Sequence, residues 1–239
     1  ISSGNALMRL DKFLAHTAEI TRQQAQRAVR GGDVCVNGTV VKQAAQRLCD
    51  TDVVTLHGSV LQAVQPRYFM LHKPMGYVCA NSDGHHPVVL DLLREPRRDS
   101  LQVVGRLDID TTGLVLLTDD GQWNHRVTAP THHCLKSYRV QLAQPLTEAA
   151  EKMLCSGVQL DGEKKPTKPA QLFLIDENRL HIRLIISEGK YHQVKRMLAA
   201  VGNHVVNLHR ESVGNVVLDE ALAAGEYRAL TATEVTSIC

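Results

Sequence analysis

The sequence predicts an α+β fold in two parts. A small N-terminal helix-helix-hairpin domain is followed by a larger catalytic domain, whose mixed, largely antiparallel sheet is flanked by helices. Helical periodicity and one hairpin signal fill about the first sixty residues, and a short polar connection, LQAVQPR, follows them. Beyond it, strand-like segments outnumber helical ones without regular alternation, which favours α+β over a doubly wound fold. We place the domains at residues 8–61 and 67–235.

The first helix is indicated by RLDKFLAH, in which Leu10, Phe13 and Leu14 fall at the i, i+3, i+4 spacing of one helical face. Thr21 and Gln24 fit a capping box, which predicts the start of a second helix. The hydrophobic residues of that helix form an inward face, and its polar residues form another. The inward face contains Ala25, Ala28 and Val29, and the other contains Gln23, Arg27 and Arg30.

Glycines predict the end of the second helix and the hairpin after it. Gly31 and Gly32 stop the helical pattern. The alternating segment VCVNGTVV then surrounds Asn37-Gly38, the strongest short hairpin signal. From these residues alone, the arginines of the second helix could equally form an ordinary solvated face.

The second part mixes strands and helices. From their apolar patterns and their Gly and Pro stops, we expect these segments in chain order: strand RYFMLHK, short helix HPVVLDLL, strand KSYRVQLAQP, helix TEAAEKMLCSGV, two strands in AQLFLIDENRLHIRLIIS, helix KYHQVKRMLAAVG and strand HVVNLHRESVGNVVL.

Bulk composition excludes several classes of protein. The chain has 239 residues, 44% hydrophobic and 22% charged, as in ordinary globular proteins. No apolar run approaches the ~20 residues of a membrane span, and no signal peptide is recognisable, so we expect a cytoplasmic protein and set aside the residues before Met8. Six scattered cysteines predict reduced thiols. They are Cys35, Cys49, Cys79, Cys134, Cys155 and Cys239.

Metal binding is not expected. The cysteines lack the paired spacing of zinc sites. His132, His133 and Cys134 are adjacent, and neighbouring strand residues point to opposite faces, which makes joint chelation awkward.

Charge distribution is more informative than the net charge of +2. Residues 121–142 and 189–210 contain lysines and arginines but no acid. Such stretches suit a polyanion. Solvated faces balanced by acids elsewhere in space are an equally good interpretation.

The stretch VVGRLDIDTTGLVLLTDDG places a polar hinge between two apolar runs that we interpret as strands. In extended conformation Arg106, Asp108 and Asp110 would point one way, and Gly105 and Gly113 permit tight backbone geometry at the ends. A partly buried carboxylate beside a cation can serve as a nucleophile or a general base. An ordinary turn between strands would also explain the aspartates.

Two resemblances extend this interpretation. RLDKFLA and TRQQAQRAVRGGDVCVNG resemble the S4 RNA-binding domain over about fifty residues. This implies RNA contacts by the second helix, chiefly to phosphates, and we assign them to Arg22, Arg27 and Arg30. GRLDIDTTGLVLLTDDG, preceded by FMLHKPMGYV and followed by KSY, SEGKYHQVKRML and LHR, is similar to the pseudouridine synthases that carry an S4 domain.

The second resemblance implies three catalytic residues. Asp108 would be the nucleophile, and Lys195 the cation that keeps it ionised in a partly buried pocket. Tyr138 would stack on the target uracil. Without the motifs, Lys195 would be interpreted as an exposed helix lysine, and Tyr138 could as well be a core residue.

It also implies substrate contacts. Arg106 would contact RNA and help to hold the flipped nucleotide, or it could form an ion pair with Asp110 that only shapes the loop. Leu208 would pack beside the base, with a simple core role as the alternative. Lys73 would contact a phosphate or the edge of the active site.

The implied activity is isomerisation of uridine to pseudouridine in RNA, which needs no oxidant, ATP or other cofactor. DDGQWNHRVTAPTHHCLKSYRV is most similar to the Rsu-type branch. That branch implies a monomer acting on 16S ribosomal RNA, or on an assembling small ribosomal subunit, at uridine 516 in the usual numbering. The alternatives are the sister branch acting on large-subunit RNA, a non-catalytic ribosome-assembly protein, and a glycosidase with Asp108 and Asp110 as its carboxylate pair.

Overall fold

The computed structural model describes residues 8–49, 51–62 and 65–239. It divides into two compact units, residues 1–65 and 66–239, the first of which is described from Met8. The residues before Met8 and part of the expected connection LQAVQPR lie outside the described residues. No helix in the described ranges is long and apolar enough to cross a membrane.

The N-terminal unit combines two helices with short strands. In chain order these are β1 (Met8–Arg9), α1 (Leu10–Thr17), α2 (Arg22–Gly31), β2 (Val34–Val36), β3 (Thr39–Val40), β4 (Arg47–Leu48), β5 (Val54–Leu56) and β6 (Ser59–Leu61). Strands β3, β2, β5 and β6 form an antiparallel sheet in that order, and β1 pairs with β4.

Local signals in the sequence explain these elements. The hydroxyl of Thr21 accepts from the backbone N–H of Gln24, whose side chain accepts in return from the Thr21 N–H, so the predicted capping box is confirmed. Gly32 ends α2 at φ 94°, a conformation that glycine adopts without steric cost. The predicted hairpin at Asn37-Gly38 joins β2 to β3. A second hairpin, at His57-Gly58, was not predicted from the sequence.

The core of the N-terminal unit lies between the helices and the sheet, and it includes Leu10, Leu14, Ala25 and Val29 on the predicted helix faces. One carboxylate, Asp11, is buried at its edge.

Asp11 accepts hydrogen bonds from Arg9 Nε and Nη2 at 3.0 and 2.8 Å, and from Gln26 Nε2 at 3.3 Å. The bonds from Arg9 lower the pKa of Asp11 to about 2, so the carboxylate is charged at neutral pH. Arg22, whose Nη2 lies 3.6 Å from Asp11, contributes to the same pairing.

The C-terminal unit contains nine further strands and four helices within the described residues. They are β7 (Tyr68–Lys73), β8 (Gln102–Val104), β9 (Thr112–Thr118), α3 (Gly121–Thr128), β10 (Lys136–Leu142), α4 (Glu148–Ser156), β11 (Gln171–Leu174), β12 (His181–Ile186), α5 (Gln193–Ala200), β13 (Val205–Val213), β14 (Val216–Val217), β15 (Tyr227–Ala229) and α6 (Ala232–Thr236). The expected short helix in HPVVLDLL is a 3₁₀ turn, Val89–Leu92.

These strands form one sheet in the order β11-β12-β10-β13-β9-β7-β15, with β14 beside β13 and β8 beside β9. All pairs are antiparallel except β13 with β9. The predicted α+β class with a mixed, largely antiparallel sheet is therefore confirmed.

Helices pack on both faces of this sheet, as predicted. Strand β9 shows the division, because its alternating side chains enter different clusters. Leu114 and Leu116 pack with Trp123 of α3. Val115 and Leu117 belong to the larger cluster that contains residues of α4 and α5. The loop that enters β9 is thus attached to a strand that is buried on both faces.

The prediction that all six cysteines are reduced is wrong. Cys134 and Cys239 form a disulfide across 105 residues of sequence, with their Cα atoms 5.3 Å apart. The pair forms because the C-terminal segment packs beside β13: Ile238 is buried, and its carbonyl accepts from the Asn215 N–H. No short-range spacing in the sequence indicates this contact.

Candidate active site

The predicted hinge borders a cavity of about 220 Å³ on the face of the sheet that packs against α5. Its walls come from the β8–β9 loop, from β10 and β13, and from the segment that leads into α5. The predicted residues Arg106, Asp108, Tyr138, Lys195 and Leu208 all line it. These side chains come from four separate parts of the chain, which the sheet and α5 bring together.

Asp108 is held between two nitrogen groups. Lys195 Nζ lies 3.1 Å from its Oδ2 atom, and His192 Nε2 lies 3.2 Å from its Oδ1 atom. The loop turns at this point, because the Thr111 N–H donates to the Asp108 carbonyl at 3.1 Å. The carboxylate is 27% exposed, so it is accessible from the cavity.

Lys195 also binds the second aspartate of the loop. Its Nζ atom donates to Asp110 Oδ1 at 2.5 Å. Burial lowers the pKa of Lys195, but hydrogen bonds to Asp110 and Asp108 outweigh burial and raise it. Burial likewise raises the pKa of Asp110, and the bond from Lys195 outweighs it, so the pKa of Asp110 is lowered. One ammonium therefore serves two carboxylates that differ in exposure, 27% for Asp108 and 57% for Asp110.

Tyr138 and Leu208 form the apolar wall of the cavity. They lie on the neighbouring strands β10 and β13, where Tyr138 is opposite Arg210 and Leu208 is opposite Val140. Both side chains are buried, at 8% and 7% exposure. A planar base inserted from the cavity would meet a ring and an aliphatic surface here.

Arg106 is exposed at the cavity, and no carboxylate of the described ranges forms an ion pair with it. The alternative ion pair between Arg106 and Asp110 is not formed, since Asp110 binds Lys195 instead. The guanidinium is therefore free to contact a ligand.

Lys73 requires a correction. It is fully buried rather than placed at the edge of the site. Its Nζ atom donates to the carbonyls of Pro74, Ile109 and Thr111 at 3.1, 3.3 and 2.7 Å. Burial lowers its pKa. Lys73 thus holds the backbone of the β8–β9 loop from the protein interior. A buried ammonium in this position does not fit the expected phosphate contact.

Several further polar residues line the cavity and were not predicted from the sequence as site residues, among them Lys136, His192 and Arg210. Arg210 is 2% exposed and donates from Nε to the Leu114 carbonyl at 2.8 Å and from Nη2 to the Gly105 carbonyl at 2.7 Å. These bonds attach β13 to both ends of the β8–β9 loop. The motifs KSY, SEGKYHQVKRML and LHR contain Lys136, His192 and Arg210 respectively, so the sequence carried a signal for all three.

The predicted RNA contacts of the N-terminal unit, Arg22, Arg27 and Arg30, are all exposed on α2. Arg27 and Arg30 are one helical turn apart on a face opposite the buried Ala25 and Val29. In the described ranges, no group of three or more His, Cys, Asp or Glu residues could hold a metal ion.

Comparisons with known proteins cover nearly the whole chain. Residues 67–200 match the family model described as RNA pseudouridylate synthase, and residues 8–54 match the S4 domain. "Ribosomal small subunit pseudouridine synthase A" from Yersinia pestis is 54% identical over 97% of this chain and 98% of its own length. The protein of the same name from Escherichia coli K12 is 53% identical over 97% of this chain and 100% of its own length. A crystal structure described as a pseudouridylate synthase has a TM-score of 0.71 and 48% identity, over 97% of this chain and 100% of that one.

Proposed function

The chain belongs to the RNA pseudouridylate synthase family, and from this premise we propose that it isomerises uridine 516 of 16S ribosomal RNA to pseudouridine. Two similar proteins that align along nearly their whole length are named as small-subunit synthases. The observation that carries the proposal is the arrangement of Asp108, which Lys195 and His192 hold at a cavity walled by Tyr138.

The proposed reaction breaks the C1′–N1 bond of the target uridine and forms a C1′–C5 bond. C5 then loses its hydrogen as a proton, and N1 gains one, so atoms and charge balance without an oxidant. Asp108 is the nucleophile of this reaction. Lys195 supports it by placing its ammonium 3.1 Å from Asp108 Oδ2, which holds the carboxylate in position at the cavity.

The target base must leave the RNA stack to reach Asp108, which costs a few kcal/mol. Contacts within the cavity offset part of this cost. Tyr138 stacks on the flipped uracil, Leu208 packs beside it, and Arg106 binds the RNA near the vacated position. Tyr138 and Leu208 are buried in the wall, whereas Arg106 is exposed and makes no ion pair in the described ranges.

The N-terminal unit contributes RNA affinity through phosphate contacts of Arg22, Arg27 and Arg30. We expect the double substitution Arg27→Gln, Arg30→Gln to weaken binding to a 16S transcript and to flatten its salt dependence. Each lost phosphate contact reduces the slope of log K against log[salt] by about 1. Filter binding across a salt series measures both effects. Lys152→Gln, an exposed change on α4, is the control, and an unchanged slope in the double variant would argue against this role.

The test of the proposed function is a map of pseudouridine in ribosomal RNA from a strain that lacks this protein. We expect the modification to disappear from one position of 16S RNA and to return when the wild-type chain is supplied. Loss from large-subunit RNA would favour the sister branch. If every pseudouridine persists while the purified chain still binds 16S transcripts, a non-catalytic role would replace the proposal.

A further inference from the structure

Tyr191 is an exposed aromatic residue between Lys190 and His192, two residues that line the cavity, and the proposed reaction does not use it. Its side chain is 71% exposed, although tyrosine is usually packed or hydrogen-bonded. The ring stacks on that of His192, with the centroids 3.7 Å apart and the planes 22° apart. His192 covers one face of the tyrosine ring, and the high exposure indicates that much of the rest of the ring faces solvent.

The stacked pair is fixed to the catalytic carboxylate. His192 Nε2 lies 3.2 Å from Asp108 Oδ1, so the ring under Tyr191 is the same ring that contacts the proposed nucleophile. The backbone of His192 is left-handed, with φ 47° and ψ 37°, which is uncommon for a residue with a side chain. Such strain persists where surrounding contacts over-determine the conformation, and it concentrates at functional sites.

Several hydrogen bonds hold the segment around the pair. Arg196 Nη1 donates to the Tyr191 carbonyl at 3.0 Å, and the Lys190 N–H donates to Gln193 Oε1 at 2.9 Å. Gln193, itself buried, donates to Glu188 at 2.8 Å. The backbone that bears the exposed ring is therefore held in place by hydrogen bonds. Stacking of a ligand on the ring needs little further ordering of this backbone, so it costs little conformational entropy.

We propose that Tyr191 is a stacking platform for the nucleobase next to the target uridine. The inference rests on the proposed function, because flipping the uridine removes a stacking partner from each neighbouring base. An aromatic face replaces such a partner for any base, since every base has a π-face. The Tyr191 ring therefore accepts a neighbouring base by stacking, and this contact adds affinity for RNA in which the target uridine is flipped out.

The test couples a change in the protein with a change in the RNA. The probe is a short RNA with the 16S sequence around the target uridine, made intact or with an abasic ribose directly 5′ or 3′ of it. Dissociation constants are measured for the full wild-type chain and for Tyr191→Ala and Tyr191→Trp. Phe173→Ala, a 52% exposed aromatic on β11 outside the cavity lining, is the matched control.

On intact RNA we expect Tyr191→Ala to weaken binding roughly tenfold, whereas Tyr191→Trp and Phe173→Ala bind like the wild type. On one of the two abasic RNAs the wild type should bind as weakly as Tyr191→Ala, and the alanine substitution should cost nothing further. Equal losses on all three RNAs, or no loss on intact RNA, would overturn the platform.

Tritium release from 16S transcripts containing [5-³H]uridine separates this inference from the proposed function. A wild-type chain that releases tritium but shows no coupling to either abasic position overturns only the platform. If the wild-type chain releases no tritium, the proposed function is overturned, and so is the platform, which depends on it. If Tyr191→Ala lowers the rate at saturating RNA without weakening binding, it acts through His192 on Asp108, which also contradicts the platform.

Discussion

Asp108→Asn is expected to abolish tritium release from [5-³H]uridine transcripts, with a fall in rate of at least about a thousandfold. The amide keeps the size and shape of the carboxylate but loses the negative charge that makes it a nucleophile. RNA binding should change little, because the predicted phosphate contacts lie on other side chains. The measurement is single-turnover release at saturating enzyme, which separates chemistry from binding.

The same loop contains a second aspartate, which provides the control for this substitution. Asp110→Asn makes an identical chemical change two residues away, at a carboxylate that also binds Lys195. Asp110 is more exposed, and exposed ion pairs contribute about 1 kcal/mol or less, so we expect its rate to stay within about tenfold of the wild type. Tritium release that survives in Asp108→Asn would remove Asp108 from the nucleophile role. Equal loss in both variants would show that the loop, rather than one carboxylate, had been disrupted.

The difference between the two aspartates also shows how far the sequence alone could be interpreted. Spacing predicted a shared direction for an extended chain, but the loop turns at Asp108, and both carboxylates nevertheless contact Lys195. The sequence suggested Arg106 as an ion-pair partner of Asp110, whereas Asp110 binds Lys195, which is 85 residues away. That pairing depends on where α5 packs, which is a property of the whole sheet.

Burial explains the largest errors. The family resemblance implied a substrate contact for Lys73, yet Lys73 is enclosed because three backbone carbonyls converge on its ammonium. The Cys134–Cys239 pair likewise depends on the final packing of the C-terminal segment. By contrast, the capping box at Thr21 and the hairpin at Asn37-Gly38 were predictable, because both are decided by residues close together in sequence.

The parallel pairing of β9 with β13 was not predictable from alternation of side chains, yet it positions the site. It joins Thr112 to His209 and Gly113 to Arg210, directly after the loop that contains Asp108. Gly113 has φ 109°, where residues with a side chain are strained. A Cβ atom there would lie 2.3 Å from the Arg210 carbonyl oxygen and 2.6 Å from its nitrogen. Both atoms belong to backbone in the middle of the sheet, so neither can move without breaking the pairing.

Gly113→Ala is therefore expected to lower the free energy of unfolding by more than about 3 kcal/mol, or to prevent folding, because strain and a backbone clash coincide. Urea titration of the purified chain measures the change. Gly121→Ala is the matched control: a Cβ atom there meets nothing within 4 Å, and the residue begins α3, where alanine is a better helix former. A Gly113→Ala protein within about 1 kcal/mol of the wild type would mean that β13 can shift away from β9. In that case Arg210 and Leu208 would not be held in place by this pairing, and the rigidity attributed to the cavity wall would have to come from α5 alone.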